Sequence, residues 1–367
     1  MDFGIAFASS TESWRVAERA EALGFTHAWF YDTQLLNPDV FVCMALAARA
    51  TSRIRLGTGV LIPSNRISPV AANGLATLNK LAPGRIDFGV GTGFTGRRTM
   101  GQKAIKLADL ERYVAEVQGL LRGETIEVLL EGEMKKVRFL VPELGLIDLE
   151  HDIPVHLSAF GPKGRALGAK LGAGWAFFSG STGPALSALK DMRASWAAAG
   201  RDDSLYANMF TLGCVLKDGE PADSPRAVAQ GGPLAATFMH DMVEQRAWGA
   251  DAGGPPLLDP PPFLAETLDA YDKIYAAYEP TDARWLALHT GHLMYVRDDE
   301  RAFLTEPVMQ AMTFTGTAAD LRGRVEALRD AGYAQFTIQI VEGHEHALED
   351  WADMLRPLGL GGARAGA

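Results

Sequence analysis

Residues 3–31, FGIAFASSTESWRVAERAEALGFTHAWFY, decide the fold. Residues 3–8 are a short apolar run that reads as a strand. Ser9, Ser10, Thr11 and Glu12 supply the capping chemistry of a helix start. Residues 14–23 carry apolar side chains at helical spacing and stop at Gly24, a residue suited to a helix C-cap. Residues 26–31, THAWFY, form the next strand. A strand, a helix and a second strand this close together make a parallel βα unit.

The same beat continues outward. Asn37-Pro38-Asp39 opens a helix that runs through Ala50, and residues 54–60 form a third strand. Ser68-Pro69 opens a third helix, residues 85–91 form a fourth strand, and residues 107–121 form a long helix closed by Gly123. Residues 126–140 interrupt the pattern: two apolar runs joined around Glu131-Gly132-Glu133 read as an inserted β-hairpin. Lys135, Lys136 and Arg138 read as its solvated face. Strands at 154–158, 174–178 and 206–216 then alternate with helices at 162–171 and 184–199. Between about residues 217 and 315 the rhythm breaks, with Pro255-Pro256 and Pro260-Pro261-Pro262 as punctuation; this is read as a helical insertion over the barrel mouth. A helix at 318–331, an eighth strand at 335–341 and a last helix at 347–355 complete the count. An α/β fold of eight such units without a second domain favours a (β/α)8 TIM barrel over a doubly wound open sheet. Residues 1–360 are read as one domain and residues 361–367 as a flexible tail of small residues.

The chain has 367 residues, a formal net charge of -10 and 47% hydrophobic residues, ample for a large core. Its pI of about 5.3 and scattered basic residues argue against nucleic-acid partners. Cys43 and Cys214 stand far apart with no CxxC pattern, which fits a reducing compartment. There is no basic, apolar leader at the start and no run of about 18 apolar residues, so a cytoplasmic protein with no membrane span is expected.

Active sites of such barrels lie in the loops after the strands. The third strand ends Leu56-Gly57-Thr58-Gly59-Val60 and the fourth ends Gly89-Val90-Gly91-Thr92-Gly93. Glycine weakens a strand unless a neighbour must approach the backbone closely. Two readings stay open: a flat ring laid on the main chain, or glycines that turn barrel corners. The run GTGFTG lacks the Gly-Lys-Ser/Thr of a phosphate-binding P-loop, and its GxGxxG is not expected to lead at once into a helix. The fifth strand runs into Ser158-Ala159-Phe160-Gly161-Pro162-Lys163. Proline at the first helical position, with a lysine beside free backbone N–H groups, suits a phosphate. Ser179 and Gly180 after the sixth strand offer further donors.

His289 and His292 are spaced to share one helical face, where they could do acid–base work at a pocket. The zinc motif HExxH is absent and no matching carboxylate pattern lies nearby, so no metal is expected. His344 and His346 follow the eighth strand at the mouth, and His156 is read as internal packing. Phe263, Tyr271, Tyr275, Tyr278 and Trp285 are read mainly as insertion residues packed on the barrel. Arg97 and Arg98 are either anion anchors or solvated loop charges.

The runs IDFGVGTGFTG (86–96), IPVHLSAFGPKGRALGAKLGAGWAF (153–177) and FGIAFASS…AEALGFTHAWFYD (3–32) resemble the luciferase-like monooxygenase superfamily, most of all its methylenetetrahydromethanopterin reductase-like branch. That resemblance implies a TIM barrel with an insertion, a homodimer, and FMN or its deazaflavin analogue F420 at the mouth. It implies a bulge with a non-prolyl cis peptide behind the ring, matched by Gly59-Val60. It further implies ring contacts at Gly91 and Gly93, and phosphate contacts at Gly161, Pro162, Lys163, Ser179 and Gly180; Ser158, at the end of the fifth strand, is read as a further cofactor-binding residue. Deazaflavin-using relatives often carry Asp-His after the second strand, whereas this chain has Asp32-Thr33. The resemblance is therefore read as an FMN-dependent monooxygenase. Such an enzyme takes reduced FMN from a separate flavin reductase and oxygenates a small-molecule substrate. F420-dependent hydride transfer is the alternative and a non-enzymatic flavin-binding protein the second.

Overall fold

The computed structural model describes residues 1–248 and 262–362. In chain order its strands are β1 (Asp2–Phe7), β2 (His27–Phe30), β3 (Arg55–Thr58), β4 (Ile86–Gly91), β5 (Ile126–Leu130) and β6 (Glu133–Val137). They continue with β7 (Val155–Ser158), β8 (Gly174–Phe178), β9 (Ala207–Thr211), β10 (Val215–Leu216), β11 (Gly316–Thr317) and β12 (Gln335–Gln339). Eight of them close a parallel barrel in the order β1-β12-β9-β8-β7-β4-β3-β2. β5 and β6 pair as the antiparallel hairpin expected between the fourth and fifth barrel strands.

Local chemistry explains the helix ends that carry the chain between strands. Asp39 caps the helix Val40–Ala50 by accepting hydrogen bonds from the N–H groups of Phe41 and Val42. Gly24 ends the helix Ser13–Leu23 at φ 100°, a conformation that L side chains rarely adopt. Proline occupies an initial position of the helices Ser68–Leu81 and Pro162–Leu171. The main core fills the layer between strands and helices, with Ile5, Leu56, Phe88, Phe336 and Trp351 among its buried members. Cys43 and Cys214 are both free and buried.

Two sequence expectations need correction. Residues 206–216 are not one strand. Gly213 passes so close to the Phe314 carbonyl that a Cβ would stand 2.0 Å from its oxygen, and the chain leaves the barrel to pair as β10 with β11. The run after β4 does enter a helix at once, Phe94–Arg98, from Gly93 at φ 80°.

The insertion builds its own core over the mouth. The helix Pro225–Trp248 packs with the helices Pro262–Ala277 and Glu306–Met312 through Val228, Met239, Val243, Leu268, Tyr271 and Met309. The Pro255, Pro256, Pro260 and Pro261 positions lie outside the described residues, as do residues 363–367 and the side chain of Phe263. Among the described residues no helix is long and apolar enough to cross a membrane.

Candidate active site

A cavity of about 550 Å³ opens where the barrel strands end. Its floor and walls come from Tyr31 and Asp32 after β2, Gly59 and Val60 after β3, Gly91 and Gly93 after β4, Ser158 and Phe160 after β7, and Phe177 to Gly180 at β8. The insertion closes it with Leu234, Phe238, Met242, His292 and Leu293. Most of this lining is apolar, as expected of a small-molecule site with a few placed polar groups.

The strand-end glycines divide into two sets. Gly57 and Gly89 serve the barrel itself. A Cβ on Gly57 would stand 2.4 Å from the Trp29 ring, and one on Gly89 would stand 2.0 Å from the Thr58 carbonyl oxygen. Gly59, Gly91 and Gly93 instead face the cavity, and the Gly59–Val60 peptide bond is cis. A Cβ on Gly91 would stand 2.8 Å from Val60 and one on Gly93 2.6 Å from Ile62, so these glycines also let the strand ends pack closely, and their main chain forms part of the cavity wall.

Beside this wall, two helices begin without a side-chain cap: Pro162–Leu171 at Gly161 and Thr182–Ala198 at Ser181. Their first N–H groups have no intrahelical partner. A Cβ on Gly161 or Gly183 would meet nothing within 4 Å. The buried Thr182 hydroxyl has no hydrogen-bond partner. Open space, free donors and an orphaned hydroxyl fit an anionic group at this edge of the cavity. Ser158, Ser179 and Gly180 line the cavity, whereas Gly161, Pro162 and Lys163 lie just outside its lining, with Pro162 and Lys163 exposed.

Asp32 is buried and held by Arg66 at 2.9 Å, with the Ile62 N–H donating to its carboxylate at 3.2 Å. Thr33 lines the cavity. The Tyr31 hydroxyl donates to Gln339 at 2.9 Å, and burial raises its pKa above the ordinary tyrosine range.

The predicted histidine pair is brought together, but by a turn. The helix Trp285–Leu288 ends at His289, and Gly291 at φ 73° redirects the chain. His292 lines the cavity and its Nε2 lies 3.1 Å from the Thr95 hydroxyl; His289 packs behind it, outside the lining. A third imidazole, His240, joins them from the helix Pro225–Trp248, with its Nδ1 3.1 Å from the Nδ1 of His292. His289 Nδ1 is also 3.1 Å from the same atom. Buried carboxylates flank the group: Glu300 contacts His240 Nε2 at 2.5 Å and Glu244 contacts His289 Nε2 at 2.9 Å. Burial first, then neighbouring histidines, holds His240 and His292 well below the ordinary imidazole range.

The sequence reading missed His240, Glu244 and Glu300 because they are remote from His289 along the chain. The only signal was an i, i+4 His–Glu pair inside a helix, which is common without a function. Arg98 is neither an anion anchor nor a solvated charge: it is 1% exposed and pairs with Asp241 at 3.0 Å and Glu244 at 2.7 Å. Tyr271 is fully buried and donates to Glu300 at 2.8 Å, more than the packing role read for it. His156 is internal, with its Nε2 3.3 Å from Asp87. His346 sits 3.4 Å from Gln230, a residue of the insertion helix.

A family model described as luciferase-like monooxygenase matches residues 8–335. A 5,10-methylenetetrahydromethanopterin reductase from Methanolobus tindarius is 26% identical over 347 residues, covering 91% of this chain and 93% of the relative. An F420-dependent glucose-6-phosphate dehydrogenase from Kineococcus radiotolerans is 28% identical over 249 residues, covering 62% of this chain and 72% of the relative. The solved coenzyme F420-dependent tetrahydromethanopterin reductase of Methanopyrus kandleri superposes with a TM-score of 0.66 at 20% identity, over 97% of this chain and 99% of that one; this likeness speaks to the fold. The relatives overturn the expectation of an FMN-dependent monooxygenase. The two sequence relatives are named for reduction and dehydrogenation, and the name of the Kineococcus relative specifies F420.

Proposed function

The chain belongs to the luciferase-like monooxygenase family and is an oxidoreductase, and on that premise we propose that it transfers hydride between coenzyme F420 and a small organic substrate. The observation that carries this reading is the cavity wall: bare backbone at Gly59–Val60 and at Gly91 to Gly93, beside two uncapped helix starts. When bound, the deazaflavin supplies a two-electron hydride donor or acceptor.

The chain's own residues do the rest. Gly59, Val60, Gly91 and Gly93 give the ring a flat seat. The N–H groups at the starts of the helices Pro162–Leu171 and Thr182–Ala198, with Ser158, Ser179 and the Thr182 hydroxyl, receive the phosphate of the cofactor's side chain. Phe160, Phe177, Phe178, Leu234, Phe238 and Met242 keep water from the reacting atoms. His292 presents Nε2 beside Thr95 and holds a proton there as a hydrogen-bond donor toward the substrate. It enters from the insertion, on a different segment from Thr33. A homodimer is part of the proposal. The exposed Val42, Leu46, Ile67 and Val70 offer an apolar face that a second copy would cover, which sedimentation velocity tests.

Anaerobic titration of the purified protein tests the cofactor. Oxidised and reduced F420 should bind and quench or shift their own fluorescence, with FMN a weak competitor. Preferential binding of FMN would overturn the F420 reading, and binding of neither would remove the cradle assigned to the strand ends.

A further inference from the structure

We propose that His240, His289 and His292 together bind one divalent zinc-type cation through their Nδ1 atoms. The three candidate ligand atoms all lie within 4.8 Å of one another, and Nδ1 of His292 is 3.1 Å from each of its partners. Nitrogens at about 2.0–2.1 Å from a tetrahedral zinc stand about 3.3 Å apart, which the two pairs that include His292 match and which the His240–His289 pair, within 4.8 Å, would reach by a small side-chain adjustment. The side chains are 2%, 2% and 4% exposed, in chain order, so the convergence is not a surface accident.

Counting protons gives an independent reason. Burial raises the Glu300 pKa, but Glu300 accepts from Arg297, from the Arg297 N–H and from the Tyr271 hydroxyl, and these donors favour the carboxylate that faces His240. The hydrogen of that contact therefore sits on His240 Nε2, and the neutral ring turns a bare lone pair inward at Nδ1. Glu244, paired with Arg98 at 2.7 Å, imposes the same tautomer on His289. His292 Nδ1 carries one hydrogen at most and faces both lone pairs. At least one buried nitrogen is then left without a donor, which is unfavourable. A cation accepts all three lone pairs at once.

The surrounding architecture is that of a metal site. Ligating histidines characteristically give their other N–H to a carboxylate, which fixes the ring and raises its basicity. Here two do so, and His292 turns its Nε2 to the Thr95 hydroxyl instead. The helix Pro225–Trp248 carries His240 and, one turn along, the Glu244 that orients His289. Three neutral imidazoles without an inner carboxylate suit zinc rather than magnesium or calcium. Among the described residues no fourth ligand joins the group, which leaves a position for water. Coordination at Nδ1 would also place the His292 proton on Nε2, on the cavity side. The inference does not depend on which cofactor occupies the cavity.

The full-length protein, stripped with a chelator and reloaded with Zn²⁺ or Co²⁺, tests this. One ion per chain by elemental analysis is expected. The Co²⁺ form should show the intense visible bands of a four-coordinate site, and X-ray absorption should report about three imidazole nitrogens near 2.0 Å. His289→Asn and His292→Asn, checked for folding by circular dichroism, should each lose at least tenfold in Co²⁺ affinity. If either variant fails to fold, stoichiometry and X-ray absorption on the unaltered chain decide. Clearly substoichiometric ion after reloading, coordination without imidazole, or unchanged affinity in the folded variants would overturn the site in favour of imidazoles that share protons.

Discussion

The two halves of the cavity are made by opposite means. On the barrel side the working surface is backbone: Gly59, Val60, Gly91, Gly93 and the first N–H groups of two helices, all placed by strand ends. On the insertion side it is side chains: His292 backed by His240, His289, Glu244 and Glu300, with Arg98 reaching them from the loop helix after β4, all nearly or fully buried. Backbone donors are neutral dipoles that need no counter-charge. The insertion's charges must be paired or they could not be buried at all. The first kind of site should tolerate side-chain changes that leave its main chain in place. The second should fail as a unit when one partner is removed.

Glu244→Gln is the strongest way to break that contrast. It removes the charge between Arg98 and His289 while keeping the volume, and among the described residues leaves Arg98 paired with Asp241. Breaking one member of a buried pair costs about 3–5 kcal/mol. Urea unfolding should show a loss in that range. A loss below about 1 kcal/mol would mean that the insertion core is no more coupled than a surface pair.

The same contrast explains what could be read from the chain. The barrel was legible because each βα unit is local: an apolar strand, a polar helix start and a glycine stop lie within one window, as in residues 3–31, although the helix Ser13–Leu23 begins at Glu12 without a side-chain cap. The helices Leu107–Leu121, Pro162–Leu171, Ala318–Ala331 and Ala347–Leu355 have the bounds that capping chemistry and periodicity predict. The strand-end glycines were visible, but their two roles were not, because only the fold shows that Trp29 fills the space over Gly57. The histidine cluster was half visible. His289 and His292 are neighbours in sequence, whereas His240, Glu244 and Glu300 reach them only through helix packing, which no spacing rule encodes. Arg98 was misread for the same reason.

Buried imidazoles sharpen the comparison further, since the barrel has its own. His27, at the N-terminal end of the barrel, is 4% exposed, and burial first of all pushes its pKa from 6.5 to about 4. Between those values the unfolded chain binds a proton that the native chain refuses. Stability from this group is therefore complete above pH 6.5 and falls as the pH drops toward 4. At about 1.4 kcal/mol per pH unit, the loss amounts to about 3 kcal/mol by pH 4. Chemical denaturation of the wild type and His27→Gln at pH 7 and pH 4 isolates it from the carboxylates. The wild type should lose more between the two pH values than the variant; parallel losses would show that His27 is solvated enough to protonate in the native barrel.

The smallest structural change aims at the backbone half alone. Gly161 sits at the helix start with φ -71° and ψ 166°, which any residue can adopt, and with open space where a Cβ would point. Gly161→Asp would let a carboxylate cap the free N–H groups of the helix Pro162–Leu171, gaining a few tenths of a kcal/mol in stability. That carboxylate would occupy the place and the charge of the phosphate. F420 affinity should therefore fall at least tenfold, about 1.4 kcal/mol, while the melting temperature holds or rises. Gly161→Ser caps without charge and should keep more of the affinity. If both variants bind F420 as the wild type does, the phosphate belongs at the other uncapped helix, where the Thr182 hydroxyl has no partner. The anion site would then be a single helix end rather than two.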